Sequence, residues 1–246
     1  MKYSFILVVP LILLLGCKGD PGPAGPILSG AITGKVYLYA DNNSLIQDKS
    51  GVLVTIDGGS SSAISSSDGF WNLTSVPAGV HNMVFSKTGF MTQKVFGFQF
   101  VGGGTVFWGN MALAQIPSVS VTQLKLTGPD ANHALHIQVT ISSSDSIYRD
   151  VGIIFDKIPI SLSSTVSFLF DDGYYIQPDS TSFSYNIQFS DYLKAEYGVA
   201  TGSKLYVRAY PLPRSGYYEP YNPSSGKYEV YDLQNAFSNL DSLIVP

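Results

Sequence analysis

The chain has 246 residues, 45% hydrophobic and 13% aromatic, so it can bury a core and is too apolar to be a disordered chain. A formal charge of −4 with no block of Lys or Arg excludes a nucleic-acid footprint. A single Cys excludes an intramolecular disulfide and any multi-cysteine metal site. Charged residues are sparse, while Ser, Thr, Gly and Tyr are common and the acidic residues are almost all Asp. Tyr and Thr favour half-buried strands, and Asp favours turns and caps over helix interiors. The chain is therefore expected to be all-β, with two β-sandwich domains in tandem after a signal peptide and a Gly/Pro-rich tether.

Residues 1–16 read as Lys2, an apolar run from Phe5 to Leu15, and Gly16, the pattern of a secretory signal. About a dozen apolar residues fall short of the roughly 20 that a spanning helix needs. Leu14-Leu15-Gly16-Cys17 resembles the lipobox of bacterial lipoproteins. That resemblance implies cleavage before Cys17, a diacylglycerol on its thiol and an acylated new N-terminus. Two or three acyl chains, at about 0.8 kcal/mol per buried CH₂, would make a nearly permanent anchor. Residues 17–29 then carry the triplets Gly19-Asp20-Pro21, Gly22-Pro23-Ala24 and Gly25-Pro26-Ile27. These are too few for a triple helix, whose stability accumulates over many repeats. Proline biases them to an extended spacer, roughly 35–40 Å long at about 3.1 Å per residue. Such short runs resemble those after the lipid cysteine of many Gram-negative lipoproteins. The implied address is the outer membrane, with surface display expected and a periplasm-facing position left open.

Past the tether a period-2 pattern predicts strands at 34–40, 52–57, 63–66, 70–75, 80–87, 91–100 and 105–113. Seven short strands separated by turn residues fit a sandwich over 30–115. Gly34-Lys35-Val36, Gly51-Val52-Leu53-Val54, Asp68-Gly69-Phe70-Trp71-Asn72-Leu73, Val76-Pro77-Ala78-Gly79 and Lys87-Thr88-Gly89-Phe90 form a series. It resembles the carboxypeptidase regulatory-like domain, a transthyretin-like sandwich that is itself not catalytic. Related sandwiches bind glycans, but no sugar-binding residue carries over by position. Trp71 alternates with Leu73 and is expected in the core. His81 alternates with Met83 and Phe85 and is expected inward or at the rim. Gly102-Gly103-Gly104 joins two strands and precedes no helix, so it is a hairpin and not a phosphate cradle. The face of Trp108 stays open.

A boundary falls at 114–118, and residues 116–246 form the second expected domain. Its strands are predicted at 119–126, 134–141, 151–156, 166–170, 183–189, 204–210 and 227–232, with one helical turn at 190–198. Val151-Gly152-Ile153-Ile154-Phe155 and Leu205-Tyr206-Val207-Arg208-Ala209-Tyr210 resemble two strands of fibronectin type III-like domains. Leu205 stands where that family usually has the Tyr of its tyrosine corner. Antiparallel parity brings the loops 142–150, 171–182 and 211–226 to one end. They carry Tyr148, Tyr174, Tyr175, Tyr217, Tyr218 and Tyr221, the candidate ligand-binding residues. Tyr supplies rigid amphipathic contact area at low entropic cost, which suits a glycan or a protein. The same parity sets this end beside the first domain, so packing between the domains is the competing role for these tyrosines.

No constellation for catalysis emerges. His133 and His136 are three apart on a predicted strand and face opposite sides, so they cannot chelate one metal. No His-x-x-Glu, His-Glu-x-x-His or Gly-x-Ser-x-Gly pattern occurs. Asp171-Asp172 reads as a solvated turn or a weak calcium site. Asp145-Ser146-Ile147, Asp179-Ser180-Thr181 and Asp241-Ser242-Leu243 resemble a bacterial O-glycosylation pattern that chance alone can supply. The expectation is a non-catalytic, lipid-anchored envelope protein for adhesion or for glycan or protein binding, with no cofactor and no metal. The alternative is a structural or assembly component of an envelope complex with no small ligand.

Overall fold

The computed structural model describes residues 28–128, 130, 134–143, 147–163, 165–168, 170–188, 194–195, 198–213, 219–233 and 236–245. The signal sequence, Cys17, most of the Gly/Pro tether, His133, Tyr217 and Tyr218 lie outside them, as does the expected helical turn at 190–198 apart from 194, 195 and 198.

The first sandwich is built around β1 (Ser29–Tyr39), whose Ile32, Val36 and Leu38 are fully buried while Lys35, Tyr37 and Tyr39 are half-exposed. That alternation is the period of a strand with one covered face. On one edge β1 pairs antiparallel with β2 (Leu45–Ile46) and, further along, with β5 (Phe70–Pro77); on its other edge it pairs parallel with β8 (Thr105–Ala114). The second sheet runs β4-β3-β6-β7, from β3 (Leu53–Ile56), β4 (Ser62–Ile64), β6 (Gly79–Ser86) and β7 (Gln93–Phe100). Between the sheets lie Trp71, Leu73, Met83, Phe85 and Leu113, so Trp71 is core as expected. A bulge in β8, where Thr33 faces Phe107 and Gly34 faces Gly109, leaves Trp108 as the extra residue. Trp108 turns inward against Phe85, with ring centroids 5.6 Å apart, and Phe107 stays exposed.

The second sandwich has one sheet of β9 (Val121–Thr127), β10 (Ala134–Ile141) and β14 (Ser182–Gln188). The other runs β13-β11-β15-β18, from β11 (Arg149–Asp156), β13 (Phe170–Ile176), β15 (Lys204–Leu212) and β18 (Asp241–Ile244). Leu135, Ile137, Val139, Val151, Ile153, Phe155, Leu205 and Val207 fill the space between them.

A third layer departs from the expected pair of sheets. Strands β12 (Thr165–Phe168), β16 (Tyr221–Asn222) and β17 (Lys227–Tyr231) form a separate sheet in the order β12-β17-β16. The segments expected at 166–170 and 227–232 thus leave the sandwich, and β18 takes the place beside β15. This small sheet encloses a second core with Ile154, Val166, Phe168, Tyr210, Val230 and Phe237. β11 is therefore covered on both faces, which accounts for its unbroken apolar run. A Cβ added at Gly152 would lie 2.5 Å from Tyr210 Cε1, so only glycine lets that ring lie flat against β11.

Asp171 and Asp172 also differ from expectation. Their backbone belongs to β13, paired with Ile154 and Ile153, and is not a turn.

Candidate functional site

The register fixes where the candidate tyrosines stand. Arg149 at the start of β11 is opposite Ile176 at the end of β13, and Asp150 is opposite Leu212 at the end of β15. The start of β11 and the ends of β13 and β15 thus share one end of the sheet, as parity required.

Among the described residues the tyrosines at that end do not gather into one cluster; Tyr217 and Tyr218 lie outside the described residues. Tyr174 and Tyr175 are strand residues and not loop residues, so they project to opposite faces of β13. Tyr174 packs half-buried on the main core, its ring centroid 3.8 Å from that of Tyr185 and 5.7 Å from that of Phe183 on β14. Tyr175, opposite Asp150, is 65% exposed. Tyr148 is also exposed, just before β11. Tyr221 lies apart on β16, its ring centroid 5.2 Å from that of Tyr228, which in turn stacks on Phe168. Tyr185, which the sequence reading did not single out, completes the aromatic edge. Its signal was available in the alternation Phe183, Tyr185 along β14.

The same end meets the first sandwich. Arg149 Nη1 donates to Asp41 Oδ1 at 2.5 Å, its Nη2 donates to Ser118 Oγ, and the Ser118 amide and hydroxyl both donate to Asp41 Oδ2. Burial opposes ionisation of Asp41, but the hydrogen bonds from Arg149 and Ser118 outweigh it and hold the carboxyl below its ordinary value. Further along the junction, Met91 is fully buried in the outer core of the second sandwich beside Ile154 and Phe168. The Thr92 amide donates to Asp232 Oδ2 at 2.9 Å.

The other polar positions have local roles. His81 Nε2 is 2.7 Å from the Pro77 carbonyl oxygen. His136 lies on the outer face of β10 between Asn186 and Asp130. Tyr231 donates to the buried Glu229 carboxylate, and burial followed by that carboxylate pushes its phenol far up. Among the described residues no three His, Cys, Asp or Glu side chains are grouped to hold a metal ion, and no helix is long and apolar enough to cross a membrane.

No family model matches the chain, and no curated protein matches it. Among solved structures, a DUF3823 family protein from Bacteroides ovatus is similar at 12% identity, over 89% of this chain and 100% of that one, with a TM-score of 0.30. A candidate carbohydrate-binding protein from Bacteroides uniformis is similar at 10% identity over 88% and 99%, with a TM-score of 0.31. A cohesin–X-dockerin complex from Acetivibrio cellulolyticus is similar at 20% identity over 33% of this chain, with a TM-score of 0.28; the match spans 53% of that chain's length. At such low identity and TM-score none of them defines a family for this chain. What fold and surface define is a class: an all-β protein of stacked sheets whose exposed aromatic side chains lie along sheet edges.

Proposed function

We propose that the chain is a lipid-anchored protein of the bacterial outer membrane, displayed at the cell surface, that binds a glycan or protein partner without catalysing a reaction. In this reading residues 1–16 are removed, Cys17 carries the lipid and residues 17–29 are the spacer. Residues 30–115 are then a carboxypeptidase regulatory-like domain and residues 116–246 a fibronectin type III-like one.

The observation that carries the binding role is the aromatic edge of β13 and β14. Tyr185 is 37% exposed and pairs with Tyr174, while Tyr175, 65% exposed, projects from the opposite face of β13, so the edge presents an aromatic side chain on each face. Solvated aromatic faces of this kind bury large area against a sugar ring or a partner side chain at the cost of few rotamers.

Two measurements test the reading. A fatty-acid label should enter the wild-type chain and not Cys17→Ser, and protease added to intact cells should digest the folded part. Glycan-array binding should fall at least tenfold in Tyr175→Ala with Tyr185→Ala while the thermal midpoint stays within a few degrees. Binding unchanged in that double variant would sink the proposed site.

A further inference from the structure

Two cavities of about 410 and 290 Å³ lie side by side along the junction of the two sandwiches. Both are lined by Ile116 and Asp232, so the two open depressions adjoin along a groove at the junction. The larger falls in the range of ligand sites, which favour the boundaries between packed units. Its walls are held on both sides, by the Asp41–Arg149–Ser118 bonds, by the Thr92–Asp232 bond and by Met91. The groove is thus formed before any ligand arrives, which lowers the ordering cost of binding.

Its two charges form no salt bridge among the described residues, although the Ser50 hydrogen bonds that lower the Asp48 carboxyl are helped by Lys87 nearby, which also sits 6.0 Å from the Phe90 ring centroid. Lys87 lines the first cavity and donates one hydrogen bond, to the Ser50 carbonyl, but has no carboxylate within ion-pair distance among the described residues. Gly51 makes room for this ammonium, since a Cβ there would lie 3.1 Å from Nζ, and its φ of +78° suits glycine. Asp232 likewise has no cationic partner among the described residues and spends one oxygen on the Thr92 amide. Between and around them are the hydroxyls of Ser86, Thr88 and Ser120 and the apolar surfaces of Leu53 and Phe90.

A neutral polyol would leave both groups without a salt bridge, whereas a ligand with an anionic and a cationic end supplies one to each. Hydroxyls suit backbone amides, and the apolar surfaces suit short side chains. We propose that this groove binds a short extended peptide, its carboxylate toward Lys87 and its amino group toward Asp232. The site is separate from the tyrosine edge, so either can fail without the other.

The test is an amide chemical-shift titration of the full chain in detergent micelles with trialanine carrying both free termini. Shifts are expected at Gly51, Thr88, Gly89 and Ile116. Binding should weaken at least tenfold in Lys87→Gln and in Asp232→Asn. Each variant keeps a polar group for its Ser50 or Thr92 partner, and each should keep the wild-type thermal midpoint. Trialanine acetylated at one end and amidated at the other should not bind. The assignment is overturned if trialanine shifts none of these amides, if the capped peptide binds as well, if the variants bind like wild type, or if maltotriose shifts the same amides instead.

Discussion

Arg149 and Asp41, 108 residues apart in the chain, meet at 2.5 Å across the junction, with side chains only 8% and 14% exposed. Ser118 completes the site by donating twice to the same carboxylate. Both charges are paired and hydrogen-bonded, the condition under which a buried ion pair can persist. Removing one partner strands the other. Arg149→Met should therefore lower unfolding stability by roughly 3–5 kcal/mol, while Asp41→Leu together with Arg149→Met should recover most of the loss. Urea unfolding of the two singles and the double measures this.

Acid should act on the same pair. The folded pKa of Asp41 lies below its ordinary value of 3.8. A depressed carboxyl contributes stability that is complete above the ordinary value and is lost as pH falls through the folded one. The contribution of Asp41 should thus be flat from neutral pH down to about pH 5 and fall away below about pH 4. Asp41→Asn should lose that part of the acid dependence, a difference visible in thermal midpoints measured along a pH series.

Met91 comes from the first sandwich but is buried with Ile154, Val166, Phe168 and Tyr210 in the outer core of the second. Met91→Ala should cost about 2–5 kcal/mol through the cavity it leaves. The loss falls on the contact between the sandwiches, so calorimetry should show a single transition in the wild type separating into two in the variant.

Gly152→Ala places a methyl 2.5 Å from Tyr210 Cε1 in a region covered on both faces. The ring must shift, and its 2.8 Å hydrogen bond to Glu219 must shift with it. Stability should fall by roughly 1–3 kcal/mol, as overpacking does. In a cycle with Tyr210→Ala the two losses should be clearly less than additive, since one change removes the other's clash.

Most strands of the first sandwich were legible from alternation, whereas β2 (Leu45–Ile46), two residues long, carries no period and was not predicted. Phe70, Trp71, Asn72 and Leu73 read out, in, out, in, and the structure places them so. Along β11 the pattern failed differently: Val151 to Phe155 reads as one apolar run, which says that both faces are covered but not by what. The segment Asp171-Asp172-Gly173 carries turn chemistry, yet β11 supplies a pairing edge that overrides the local preference. Strand β18, four residues long, carried too little period to be recognised, and its position beside β15 rests on the ladder from Lys204 to Val207. Tyr174 and Tyr175, expected together in a loop, separate for a related reason: once they are strand neighbours, the pleat sends them to opposite faces.

The sequence by itself determined the all-β class, the periods of most strands and the burial of residues such as Trp71. These are local consequences of side-chain chemistry and of a backbone that repeats every two residues. Only the tertiary structure decided which strand lies beside which, the third sheet over β11, the meeting of Arg149 with Asp41 and the groove along the junction. Each of these depends on contacts between residues far apart in the chain. Such contacts are selected by the burial they achieve together, which no short window of sequence contains.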